Sequence, residues 1–333
     1  MHTPPVGPAR PPRPVEEDRI QEASADLEES RLTPELTAES KQRRFEVSEF
    51  WMPSSGENRQ PGNRVEARYF RSTKPGEKGL VIVLPIGGYP QYISRTLAKR
   101  LRAGETSAGD VNVLLLRGRR HLVDWRTSAG TSSEAEFRAA VERAAGAIET
   151  TVRDLVRVVD WAVARPEIDP ARIGIVGMSV SAPLALLAMG KDDRIAAGVL
   201  LMGGGDLVEA LASCRGQPGR GRKPVIKRFG WSSEAYQRVL EEGLGSLRLL
   251  EHAAKIDRER VLIAEARDDE GFPAPSRAAY YEALGLPERY LLHTDHRRAF
   301  LGSMTFLGRT WLTRGIVRFL EDRLGKSSDR TPI

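Results

Sequence analysis

Two hydrophobic patterns alternate along this chain of 333 residues. The first is a short run, apolar at almost every position: 80–84 (LVIVL), 111–116 (VNVLLL), 173–176, 197–202 and 261–266, with a briefer run at 290–293. Runs of this length and evenness predict strands buried on both faces. The second pattern spaces apolar residues three or four apart. Over 134–164 they fall at Val141, Ala145, Ile148, Val152, Leu155, Val159 and Val163, which predicts one long helix. Shorter helices are expected over 93–101, 182–189, 276–284 and 311–324. Strands alternating with helices predict an α/β fold with a mainly parallel central sheet and helices on both faces. No repeat of fixed period is evident.

The flanks and one internal stretch read differently. Residues 1–14 are proline-rich without apolar periodicity and are expected to be disordered or locally extended. From 15 to 46 the chain turns acidic and polar. Ile20, Leu27, Leu32 and Leu36 there mark either a short helix interrupted by Pro34 or a solvated tail. Phe45, Val47, Phe50 and Trp51 are expected to dock on the domain, 66–71 to form an outer strand, and 74–77 the turn beyond it. Residues 207–257 show two or three helical patterns around a tract, 215–228, with six basic residues and no acid. The expected organisation is an extension over 1–60, a large domain over 61–325 with 207–257 inserted as a helical lid or cap, and a tail over 326–333.

Composition then narrows the chemistry. A hydrophobic content of 40% in a chain this long leaves ample material for a core. The net charge of +6 raises the question of nucleic acid, but 51 basic residues are nearly matched by 45 acidic ones. Aromatic content of 6%, with no aromatic-basic interleaving, argues against a nucleic-acid partner. Cys214 is the only cysteine, so neither an intrachain disulfide nor a thiolate metal cluster can form within one chain, which fits a cytoplasmic location. No apolar run approaches bilayer length and the first residues hold no secretory apolar segment, so no membrane association is expected. Gly87-Gly88 matches neither phosphate-loop spacing, and no H-E-x-x-H occurs, so no cofactor and no metal are expected. The sequence carries no mark of an oligomeric state.

The richest stretch is 172–189, RIGIVGMSVSAPLALLAM. It reads as strand, sharp turn at Gly177, then helix from Ala182, with Ser179 at the apex. Small residues there let the two backbones pass close together. Alone, this also fits a serine that merely caps a helix. A hydroxyl becomes a nucleophile only beside a base that a carboxylate orients. After Ser179 the histidines are His252, His293 and His296; His252 lies in a helical pattern and is expected to face solvent. The adjacent Asp268 and Asp269 follow the strand 261–266, and charge alone does not choose between them.

Gly177-Met178-Ser179-Val180-Ser181 resembles the nucleophile elbow G-x-S-x-G of the α/β-hydrolases, with Ser181 in place of the last glycine. ARPEIDPARIGIVGMSVS and PERYLLHTDHRRAFL resemble the nucleophile and histidine regions of bacterial serine hydrolases of the esterase, dienelactone-hydrolase and acylaminoacyl-peptidase type. The resemblance spans about residues 66–324. It implies an α/β-hydrolase fold and a triad in the order Ser179, Asp269, His296. Asp269 follows from the register D-x-x-V-P, here ending in Phe272-Pro273, with Asp268 as the alternative acid. His296 occupies the loop of the base, with Asp295 where relatives carry glycine and His293 as the alternative base. The oxyanion hole would combine the N–H of Val180 with that of Gly87 or Gly88, where relatives often carry His-Gly. The implied reaction is cleavage of a small-molecule carboxylic ester through a covalent acyl-enzyme. Amide or peptide hydrolysis is the runner-up, and a catalytically inactive binding or structural scaffold a further reading. The basic tract either favours an anionic substrate or is a solvated loop; Arg117, Arg119, Arg120 and His121 carry the same pair of readings.

Overall fold

The computed structural model describes residues 34–42, 44–55, 64–86, 92–103, 111–117, 130–204, 206–215, 221–300 and 311–325. Residues 1–14, Ile20, Leu27, Leu32, Gly87, Gly88, Arg119, Arg120, His121 and the tail lie outside them. One nine-stranded sheet forms the centre. Its strands are β1 (Glu35–Gln42), β2 (Phe45–Pro53), β3 (Arg64–Ser72), β4 (Lys78–Val83), β5 (Asn112–Leu116), β6 (Ile168–Met178), β7 (Ile195–Leu201), β8 (Val261–Asp268) and β9 (Glu288–Asp295). They lie in the order β1-β2-β3-β5-β4-β6-β7-β8-β9. The pairs from β1 to β5 are antiparallel, and those from β5 through β4 to β9 are parallel.

Helices cover both faces, as the alternating patterns predict. They are α1 (Tyr92–Ala103), α2 (Glu134–Val163), α3 (Ala182–Lys191), α4 (Leu207–Ser213), α5 (Arg222–Phe229), α6 (Ser233–Leu244), α7 (Leu249–Ala253), α8 (Ala274–Ala283), α9 (His296–Phe300) and α10 (Trp311–Leu324). In β4, Leu80 and Ile82 join the core under α2 and α3. Val81 and Val83 join the opposite core, under α1 and α10. Successive side chains of a strand point to opposite faces, so a central strand must be apolar throughout. The long helix α2 starts where Ser133 accepts the N–H of Glu136 (3.2 Å). It ends at Ala164, just before Arg165 and Pro166.

Two sequence expectations need correction. Strand 66–71 is not the outer one, because β1 and β2 add to its free side as an antiparallel hairpin. Leu36, placed in a helix or a solvated tail by the sequence, sits in β1. Phe45 and Val47 do dock, as part of β2 and on one face of the sheet, while Phe50 and Met52 fill the other. Period-two burial of this hairpin, with Glu46–Arg71 and Glu49–Arg68 pairs outside, overrides the polar composition of the segment.

The insertion between β7 and β8 contains α4 to α7, the helical lid-like element expected there. It is well anchored. Phe137 of α2 meets Phe229, Trp231 and Tyr236 at ring separations of 6.4, 5.7 and 5.7 Å. Part of the basic tract is structural: Arg222 donates to the carbonyl of Ala212 and Arg228 to that of Thr131. Lys223 and Lys227 are exposed.

Candidate active site

The parallel strands β6 and β8 deliver their chain to the same edge of the sheet, where ligands of open α/β folds bind. At the end of β6 the backbone reverses through Ser179, whose φ of 53° lies in the left-handed region. A residue with a side chain is held there at a cost of about 1–3 kcal/mol. The surroundings enforce it. A Cβ on Gly177 would lie 2.4 Å from the carbonyl oxygen of Ser181, and one on Gly203 would lie 2.3 Å from the Cβ of Ala182. Ser181 closes the turn: its hydroxyl accepts the N–H of Met178 (2.8 Å) and donates to the Met178 carbonyl (2.9 Å). The departure from glycine at this position therefore carries a structural role that the motif does not reveal.

The base and acid come from the ends of β9 and β8. His296 opens α9, and Asp295 just before it accepts the N–H of Arg298 (2.7 Å), capping that short helix. Ser179 Oγ lies 3.2 Å from His296 Nε2. His296 Nδ1 lies 2.8 Å from Asp269 Oδ2. The Asp269 carboxylate is completely buried, and its other oxygen accepts the N–H groups of Gly271 (2.7 Å) and Phe272 (3.0 Å). With the carboxylate ionised, Nδ1 carries the proton and Nε2 presents its lone pair to the serine hydroxyl. The Phe272 ring stands 6.5 Å from the imidazole, centroid to centroid. Ser179, His296 and Asp269 form a Ser-His-Asp catalytic triad at a nucleophile elbow.

The alternatives point elsewhere. Asp268 is exposed and paired with Arg267 (3.2 Å), and Arg267 also approaches Nδ1 of exposed His293 at 3.2 Å. His252 is half-buried rather than solvent-facing, with Nδ1 3.3 Å from the carbonyl of Gly190. Arg117 pairs with Glu49 on β2. Val180 follows the nucleophile in a single 3₁₀ turn, while Gly87 and Gly88 lie outside the described residues. Sequence reading also missed the two amides that clamp Asp269. The signal for them was available, since an aspartate in a loop favours hydrogen bonding its side chain to the backbone two residues on, here at Gly271. A cavity of about 60 Å³ lies at the same sheet edge, at the ends of β4 and β5, with Leu84, Pro85, Leu116, Leu155 and Leu184 in its wall.

Comparison with solved structures agrees with this topology. An acetyl xylan esterase from Paenibacillus sp. R4 superposes with a TM-score of 0.62 at 17% identity, over 93% of this chain and 95% of that one. This is the α/β-hydrolase fold. A cold-adapted esterase from an Arctic intertidal metagenomic library gives a TM-score of 0.54 at 17% identity, over 86% of this chain and 97% of that one. Acylaminoacyl peptidase from Pyrococcus horikoshii gives 0.56 at 18% identity over 87% of this chain, but only 44% of the peptidase. No family model matches the sequence, and no curated protein matches it. At such identities the likeness concerns the fold; the α/β-hydrolase reading of the chemistry rests on the three side chains.

Proposed function

We propose that this protein is a serine hydrolase that cleaves small-molecule carboxylic esters through a covalent acyl-enzyme. The observation that carries the reading is the unbroken chain from Ser179 Oγ through His296 to buried Asp269, at 3.2 and 2.8 Å. These separations lie within reach of proton transfer. His296 takes the hydroxyl proton as Oγ attacks the carbonyl, then gives it to the departing alkoxide. Asp269 holds the imidazole in the required tautomer and stabilises its cationic form. Water activated by the same imidazole then releases the acid. The developing oxyanion is received by the N–H of Val180 and that of Gly87 or Gly88.

The same reading assigns 1–60 as an extension whose hairpin, β1 and β2, joins the central sheet, 61–325 as the hydrolase domain and 207–257 as its lid. Exposed Lys223 and Lys227 in the lid favour an anionic ester. A cytoplasmic location is supported by the single cysteine, Cys214, which is buried. The test is labelling by a fluorophosphonate together with turnover of p-nitrophenyl esters and matching anilides. Labelled wild type, unlabelled S179A and faster turnover of esters are expected. A folded wild type that neither labels nor turns over either class overturns the proposal in favour of a binding scaffold. Equal rates on charged and neutral esters, at any salt concentration, remove the anionic preference.

A further inference from the structure

Asp269 owes its position to a short loop whose root is gripped by one buried cation. Arg277 lies in α8, beyond the loop, and only 7% of it is exposed. Its guanidinium donates from Nη1 to the carbonyl of Ala266 and from Nη2 to that of Arg267 (3.0 Å). These are the two residues immediately before Asp268 and Asp269. Strand pairing is irregular at this point: Ala266 pairs with Leu292 and Asp268 with Asp295, and the register between β8 and β9 shifts between them. Where the ladder becomes irregular, Arg277 supplies the donors.

We propose that Arg277 is a positioning residue for the triad acid, holding the end of β8 to α8 so that Asp269 meets His296 in line. The planar fork of arginine spans two neighbouring carbonyls, which the single ammonium of lysine does not match. Burying such a charge is costly unless it is compensated. Glu265, itself buried on β8 and paired with Arg289, places a carboxylate whose charge attracts Arg277 as well. Burial pushes the Glu265 carboxyl up, while the charges of Arg289 and Arg277 pull it back down. The far side of the loop is tied as well: the N–H of Arg215 donates to the carbonyl of Glu270 (2.9 Å). The Ser276 hydroxyl donates to the carbonyl of Asp206 (3.2 Å). The acid loop is thus tied on both sides, at its root by the charged Arg277 side chain and at Glu270 by a backbone N–H.

This inference rests on the triad reading, and the experiment separates the two. R277M and R277K are assayed for kcat and KM on p-nitrophenyl acetate, each in the wild-type and in the D269N background. Misplacement of a catalytic group by about 1 Å can cost about 100-fold. R277M is therefore expected to lower kcat about 100-fold and R277K about tenfold, with KM within about twofold. In D269N the carboxylate that Arg277 serves is already gone, so each change should cost less than about twofold. Equal losses in both backgrounds, or a change in KM with kcat intact, overturn the positioning role. Should R277M fail to fold by circular dichroism, R277K decides. If S179A and D269N keep wild-type activity, the triad itself is wrong. If they lose it while both Arg277 variants behave as wild type, only this inference fails.

Discussion

At the end of β6 the nucleophile is placed by steric fit, whereas at the ends of β8 and β9 its partners are placed by hydrogen bonds. The elbow has almost no room: a single added carbon at Gly177 would strike backbone on the far side of the turn. It nevertheless accepts a serine at 181, because that hydroxyl takes up two backbone groups of Met178. The acid loop is bound instead by amide donors on Asp269 and by the Arg277 fork. A steric site fails when an atom is added, and a hydrogen-bonded site fails when a donor is removed. That contrast tells where each half of the machinery is vulnerable.

The largest effect should come from the shared centre of both regions. S179A is expected to lower kcat by about 10⁶-fold with the fold intact by circular dichroism, since loss of a triad nucleophile removes the covalent route. Retained turnover would move the chemistry away from the elbow. On the hydrogen-bonded side, D269N should cost about 10⁴-fold by presenting the wrong partner to His296. D268N should stay within about twofold of wild type, as its carboxylate pairs with Arg267 at the surface. Equal losses in both variants would erase the distinction between the two aspartates.

On the steric side, G177A should destabilise the protein by about 3 kcal/mol, because the added methyl meets rigid backbone. Thermal unfolding measures this, and an unchanged midpoint would mean that the turn can relax. The smallest effect sharpens the contrast from within the elbow. S181A removes the bonds to Met178 and should cost about 1–2 kcal/mol. If S181A and wild type unfold alike, water replaces the hydroxyl and the turn is held by shape alone.

Much of this was legible in the sequence, for a local reason. A strand covered on both faces must be apolar throughout, and a helix on a sheet must repeat its apolar face, so β4, β6, β7, β8 and α2 announce themselves. The elbow is equally contiguous, with strand, Gly177, Ser179 and helix all within one short stretch. The N-terminal hairpin was not legible in this way. Leu36 and Phe45 sit in a polar stretch, and their burial depends on β3 offering its free edge.

By itself, then, the sequence determined the alternation of strands and helices, the turn that exposes Ser179, and a short roster of acids and bases for it. Tertiary structure decided which of them meet. Ser179 and His296 lie 117 positions apart, and only the order of strands in the sheet brings them together. Asp268 and Asp269 are neighbours of the same charge, distinguished by where the end of β8 leaves each carboxylate. One pairs at the surface with Arg267, and the other is buried under the imidazole. Chain composition is blind to that difference, because facing is a property of the backbone path.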